Sequence, residues 1–316
     1  MKLHSCENME NRQYKLSIIT ICFNNAAGLD ATLNSTLGQQ HDFCDFEQIV
    51  VDGGSSDSTM EIVQKYQDRL SWYCSEPDNG IYDAMNKGAA HARGEYLLFL
   101  NSGDVLKDNV LCKMFREQFS EDLVYADIDT RMPDGTIVTK IAPSLDELTP
   151  GWFLWDTLPH QSTLIRRSLH EELGGYDDTM KISAAPKFIF QALVIKHCSV
   201  RKLDSVFSVF DRSGVSSNIT AKEAKLQEWT SFLEPFYGKR VVNAAMNWLR
   251  VKPIVDKGTI DFISRHPECV PKIKSSLRSV IMRLSLEKHD MPCFFKELTA
   301  VPLRWVKRIL KRCIKV

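Results

Sequence analysis

The chain has 316 residues, 44% of them hydrophobic, with 40 Lys and Arg against 40 Asp and Glu. That length and apolar content are enough for a full core, so disorder is not the default reading. The neutral total hides an uneven distribution: residues 251–316 hold 15 Lys and Arg against 6 Asp and Glu, a basic module on an acidic body.

The nine cysteines form no C-x-x-C pair and mostly lie in apolar runs, which predicts a reducing compartment. Residues 1–15 are polar and lack the apolar core of a secretory signal. No run of about 18 apolar residues occurs, so the expectation is a cytoplasmic protein with no spanning helix.

Leu16-Ser-Ile-Ile-Thr-Ile-Cys22 reads as a buried strand, followed by a loop at residues 23–25 and a helical pattern over 29–37. Phe46-Glu-Gln-Ile-Val-Val51 is a second strand, closed by Asp52-Gly-Gly-Ser-Ser-Asp57, where Asp57 can cap a helix reaching about residue 66. A third strand (70–74), a third helix (81–92) and a fourth strand (95–100) follow, the last stopping at Asn101-Ser-Gly-Asp104. Beyond it the pattern predicts a helix (109–119), a strand (123–128), a hairpin at Pro133-Asp-Gly135, a strand (162–165), a helix (184–197) and a strand (200–210). From residue 221 onward it is helical and punctuated by prolines.

Such β-α alternation predicts an α/β fold with a mostly parallel mixed sheet flanked by helices. Ligands then sit beyond the carboxyl ends of the strands, where Asp52, Asp78-Asn79, Asn101 and Asp104 gather. Each of these loops taken alone is equally a turn made of turn-forming residues. A carboxylate after the apolar fourth strand, near a second oxygen donor, suits a hard divalent cation bridging two phosphates.

Four strings occur in order: Ser17-Ile-Ile-Thr-Ile-Cys-Phe-Asn24, Ile49-Val-Val-Asp-Gly-Gly-Ser-Ser-Asp57, Ser75-Glu-Pro-Asp-Asn-Gly-Ile-Tyr-Asp-Ala-Met-Asn-Lys-Gly88 and Gly94-Glu-Tyr-Leu-Leu-Phe-Leu-Asn-Ser-Gly-Asp104. Together they resemble glycosyltransferase family 2, in particular its bacterial branch that builds surface polysaccharides and lipopolysaccharide side chains. The resemblance is dense over residues 16–104 and continues in patches to about residue 217. It implies a GT-A fold and inverting transfer from a nucleoside-diphosphate sugar, UDP foremost, with Mg²⁺ or Mn²⁺. The domains it implies are an extension (1–15), a GT-A domain (16–218) with a nucleotide-sugar half (16–104) and an acceptor half (105–218), and a helical, basic region (219–316).

By the same resemblance Asp52 reads the base, Thr20 and Asn24 lie near the nucleotide, and Asp83 and Asn86 flank it. Asn101 and Ser102 contact ribose or phosphate, and Asp104 is the metal ligand. The family's general base is a carboxylate at the position held here by Ala185, which accepts no proton. The remaining base candidates are Asp211, Asp177 and His160, the last because imidazole titrates near neutrality. His160 and Asp211 have structural readings as well, a histidine bound to backbone and a loop cap. The alternative within the fold is an impaired homologue that binds nucleotide sugar.

Residues 301–316 place Trp305, Val306, Ile309, Leu310, Cys313 and Ile314 on one helical face and six basic residues on the other. Such a helix can lie on an anionic membrane surface beside a lipid-linked glycan acceptor, or dock on the acidic body. With Trp305 as its one aromatic, the segment is a poor nucleic-acid binder. A membrane-associated scaffold protein is the rival from another class. A dinucleotide-dependent oxidoreductase would need G-x-G-x-x-G after the first strand, and Cys22-Phe-Asn-Asn-Ala-Ala-Gly28 has none.

Overall fold

A computed structural model describes residues 14–39, 45–212, 219–243 and 245–246. The chain divides into two compact units, one of residues 1–145 and 158–229, the other of 146–157 and 230–316.

The first unit is built on a nine-stranded sheet. Its first four strands are β1 (Tyr14–Cys22), β2 (Phe46–Asp52), β3 (Trp72–Ser75) and β4 (Gly94–Phe99). They pair in parallel in the order β3-β2-β1-β4. Eight of nine β1 residues and all seven of β2 are buried, as strands covered on both faces require. The crossovers are α1 (Ala26–Leu37), α2 (Thr59–Tyr66) and α3 (Ile81–Ala90).

β4 lies on the opposite side of β1 from β2, so the direction of strand addition reverses there. Loops leaving β1 and β4 therefore face each other at a switch point, the usual place for a ligand in such sheets. Main-chain bonds close this junction: Leu100 and Ser102 N–H donate to Ile19 and Ile21 carbonyls, and Gly103 N–H to Gly28.

The rest of the sheet adds β5 (Val105–Leu106), β6 (Leu123–Arg131), β7 (Ile137–Lys140), β8 (Thr163–Arg166) and β9 (Val200–Asp211). Here pairing is antiparallel except between β6 and β9, so the parallel character stops at β4. β6 and β7 form the predicted hairpin around Gly135. The two-residue β5 and the helix α5 (Arg167–Glu172) have no periodicity to announce them, and the sequence reading has neither. The helices α4 (Val110–Arg116) and α6 (Ala184–Phe190) complete this part, and a single π-helical turn (Gln191–Ile195) follows α6.

Two boundaries move for identifiable reasons. α1 starts at Ala26 instead of residue 29, because Asn25 caps it by accepting the Gly28 N–H. Asp57 accepts the Thr59 N–H as expected, although the helix's capping position is Ser58.

At the amino ends of the strands, the wholly buried Glu47 carboxylate takes the Arg93 guanidinium, the Arg93 N–H and the Ser17 hydroxyl. Ser17 Oγ in turn accepts the Gly94 N–H, tying β1, β2 and β4 together away from the switch point.

α7 (Ile219–Tyr237) runs through residues of both units. In the second unit the Tyr237 hydroxyl donates to the Pro150 carbonyl, which closes a 3₁₀ turn (Pro150–Leu154) against the helix. The amphipathic pattern of residues 301–316 lies outside the described residues. Among the described residues no helix is long and apolar enough to cross a membrane.

Candidate functional site

Four loops meet at the carboxyl ends of β1–β4. Asn24, in a left-handed conformation (φ 48°) that asparagine tolerates, links the first two: its Oδ1 accepts the Ser56 N–H at 2.9 Å, and its own N–H donates to Ser55 Oγ at 2.7 Å. Asn25 links the first loop to the fourth through its Nδ2, which donates to Ser102 O at 3.1 Å. Thr32 on α1 holds the fourth loop from beneath, donating to Asp104 O at 2.7 Å and accepting the Gly103 N–H at 3.0 Å.

Asp52 has 0% exposure. Its carboxylate accepts the Ser55 N–H at 3.0 Å and the Ser75 hydroxyl at 2.6 Å, and it takes the Ser55 hydroxyl as well. Its oxygens thus brace the second and third loops. Thr20 lies deeper still, fully buried with its hydroxyl accepting the Gln48 amide at 3.0 Å. Asn86 is also engaged: its amide exchanges both hydrogen bonds with the Tyr176 backbone, at 2.8 and 2.9 Å. It ties α3 to the backbone at Tyr176. Asp83 accepts the Asn79 N–H at 2.9 Å and lies 3.6 Å from Lys87, so it shapes the third loop.

Of the fourth-loop residues, Asn101, Ser102 and Gly103 are partly exposed, while Asp104 is only 4% exposed. Asp104 accepts the Asp211 N–H at 2.9 Å and a bond from the Gln161 side chain. Burial pushes its pKa up to about 7, against the pull of those two donors. The Asn101 side-chain oxygen in the same turn is buried with no hydrogen-bond partner. A carboxylate short of compensating charge and an unsatisfied amide oxygen fit a hard cation that keeps phosphate and water ligands. They fall short of a protein cage, and among the described residues no three His, Cys, Asp or Glu converge.

The raised pKa has a consequence for stability. The stabilising contribution of Asp104 is complete below the ordinary carboxylate value and is lost as pH rises through about 7. Asp104→Asn keeps the acceptor for Asp211 and removes the titration. Its melting temperature is expected to gain on the wild type steadily between pH 4 and 8, and a constant difference across that range refutes the assignment.

Asp177 is held by Lys187 at 2.5 Å and by Thr179, and the Lys187 hydrogen bond first of all keeps its pKa low. His160 has its Nε2 buried without a partner, and burial, then Lys225, pushes its pKa down to about 4. Such groups accept protons poorly near neutrality. Asp211 is ion-paired as well, 3.4 Å from Arg131, with its side chain 25% exposed against 29% for Asp177, and its N–H reaches Asp104. Ala185 is buried in the first turn of α6, which forms normally with Pro186 next to it. Ahead of it, the Glu228 carboxylate accepts the N–H groups of Lys181, Ile182 and Ser183.

Asn25, Thr32 and Gln161 escaped the sequence reading. Asn25 is recoverable as a helix cap before Ala26-Ala-Gly28, whereas Thr32 and Gln161 carry no local signal.

The profile of Glycosyl transferase family 2 matches residues 17–174. An uncharacterized glycosyltransferase of Mycobacterium tuberculosis is 33% identical over 208 residues, 64% of this chain and 77% of that protein. A PGL/p-HBAD biosynthesis glycosyltransferase of Mycobacterium bovis is 32% identical over 216 residues, 66% of this chain and 81% of that protein. Among solved structures, S. aureus TarS 1–349 in complex with UDP superposes with a TM-score of 0.53 at 17% identity, over 74% of this chain and 70% of that one. The mannosyltransferase PcManGT of Pyrobaculum calidifontis, in complex with GDP-Man and Mn²⁺, also gives 0.53, at 15% identity over 75% and 70%. The fold is thus that of GT-A glycosyltransferases, and the chain is a glycosyltransferase belonging to family 2.

Proposed function

We propose that the enzyme transfers a sugar with inversion from a nucleoside diphosphate, UDP foremost, to a hydroxyl of a surface glycan or its lipid-linked form. The observation that carries this reading is the meeting of four strand-end loops at the β1/β4 switch point, with Asp211 pinned against the last of them through Asp104. The structural neighbours that hold UDP and GDP-Man support a nucleotide-sugar donor at this kind of fold.

In the proposed reaction the acceptor oxygen attacks the anomeric carbon on the face opposite the nucleotide. Asp211 takes the hydroxyl proton, and the bond from the anomeric carbon to the diphosphate oxygen breaks, leaving the nucleoside diphosphate. Asp104 and Asn101 would hold a divalent cation, which supplies charge neutralisation for that leaving group when bound. Ser102 and the bonded loop around it orient the diphosphate, so little rearrangement is needed on reaction.

The test is release of nucleoside diphosphate from a panel of nucleotide sugars by the full chain, with Mn²⁺ or with a chelator. One donor is expected to be consumed, faster when the cation is present. Failure to bind or consume any donor overturns the reading.

A further inference from the structure

β4 runs antiparallel to β8, β8 antiparallel to β6, and β6 parallel to β9, so β6 and β9 end at the same edge of the sheet as β4. The β6–β7 hairpin therefore rises from the edge where the strand-end loops meet. Its register ties it to one residue there: Ile137 pairs with Arg131, and Arg131 pairs with Asp211. Directly paired residues project from the same face of a sheet, and the 3.4 Å contact between Arg131 and Asp211 agrees. Ile137 thus stands on the face of Asp211, two strand spacings away, roughly 10 Å between backbones.

Every residue from 133 to 141 is exposed. Among the described residues eight large hydrophobic side chains are exposed, and four of them fall in this one stretch: Ile137 (47%), Val138 (47%), Ile141 (52%) and Leu145 (53%). Edge strands ordinarily discourage chance contacts with charge or proline, yet Ile137-Val-Thr-Lys140 carries a single charge, at its end. The hairpin is nevertheless held in place. The Thr139 hydroxyl donates to Asp129 at 2.7 Å, Lys107 reaches the same carboxylate at 3.0 Å, and the Ala142 N–H donates to Asp127 at 2.8 Å. A fixed cluster of exposed apolar side chains marks a surface that another apolar group covers. Its position in the row Ile137-Arg131-Asp211 identifies that group. An acceptor whose reacting hydroxyl meets Asp211 has its far side one sugar ring away, over Arg131, and whatever is attached there meets Ile137 next.

We propose that the β6–β7 hairpin receives the hydrocarbon anchor of an amphiphilic acceptor, with Ile137 and Ile141 as its contacts. The assignment rests on the transfer reading above and names the class of acceptor.

The test supplies the full chain with the donor it consumes and a panel of hexose and N-acetylhexosamine glycosides, each as the methyl and the n-octyl form. The octyl forms are kept below their micellar concentration, so that neither micelle nor bilayer is present. Wild type is expected to show a KM about tenfold or more lower for an octyl glycoside than for its methyl counterpart, because each methylene taken from water favours binding. Ile137→Thr keeps a β-branched side chain on the strand, and is expected to reduce that advantage about three- to tenfold. Ile137→Thr combined with Ile141→Thr is expected to abolish it. Val138→Thr, on the opposite face of β7, is expected to retain it. An unchanged melting temperature shows that Ile137→Thr folds, and should it not, Ile141→Thr carries the same test. An octyl advantage that survives the double substitution overturns the assignment alone, as does a wild type that treats both forms alike or consumes donor without using any octyl glycoside. A change from dimer to monomer in Ile137→Thr, with the octyl advantage intact, gives the hairpin to a second copy of the chain instead. A wild type that consumes no donor overturns the transfer reading itself.

Discussion

Asp211→Asn is expected to lower kcat by about a hundred- to ten-thousandfold, the span of a lost general base, while the affinity for the nucleotide changes less than threefold. Asp211 is the base in the proposed reaction, and it ends β9 with its backbone N–H on Asp104 at 2.9 Å, a bond that asparagine keeps. Its carboxylate lies 3.4 Å from Arg131, with both side chains partly exposed. Asp177, held low by Lys187, and His160, with a pKa near 4, are the controls. Asp177→Asn and His160→Gln are expected to stay within a few-fold of wild-type kcat. Equal losses in all three variants would show that the acceptor half had merely been disturbed. An unchanged kcat in Asp211→Asn would remove it as the base.

The largest stability effect lies at the other end of the sheet. Arg93→Ala leaves the Glu47 carboxylate in a site with no solvent, and is expected to cost about 3–5 kcal/mol. For a domain of this size that lowers Tm by roughly 6–20 °C. Arg93 makes two guanidinium contacts with Glu47 Oε2, at 3.0 and 2.8 Å, and its backbone N–H takes the other oxygen at 2.6 Å. The backbone bond survives truncation but the charge does not. Because the guanidinium reaches solvent in part, the lower half of the range is the better expectation. The exposed pair of Lys65 and Asp30 is the contrast, and Lys65→Ala is expected to leave Tm nearly unchanged. Thermal denaturation distinguishes the two, and a loss under about 1 kcal/mol in Arg93→Ala contradicts this account of Glu47. Since the brace is remote from the switch point, nucleotide affinity measured well below Tm is expected to be unchanged.

Periodicity and strand-end composition determined the donor half on their own. Runs such as Ile18-Ile-Thr-Ile and Ile49-Val-Val are too apolar for anything but strands buried on both faces, and the loops between them are short. Element type and order, and the gathering of polar groups at the carboxyl ends, therefore follow from local sequence. The strands after β4 were less legible because most of them pair antiparallel across long separations, as when β4 meets β8 and β5 meets β9. A two-residue strand such as β5 has no pattern until its partner arrives.

For the site, the sequence identified which loops meet but not which atoms remain to do chemistry. Asp52, Thr20 and Asn86 stand at motif positions, yet each has its polar atoms engaged by neighbours 20 or more residues away. Asp177 is captured by Lys187 only once α6 has folded back beside it. Hydrogen-bond satisfaction and burial depend on what packs around a group in three dimensions. Type and spacing determined the fold and its switch point, whereas tertiary contact decided that Asp52 braces two loops and that Asp104 is buried against the Asp211 N–H.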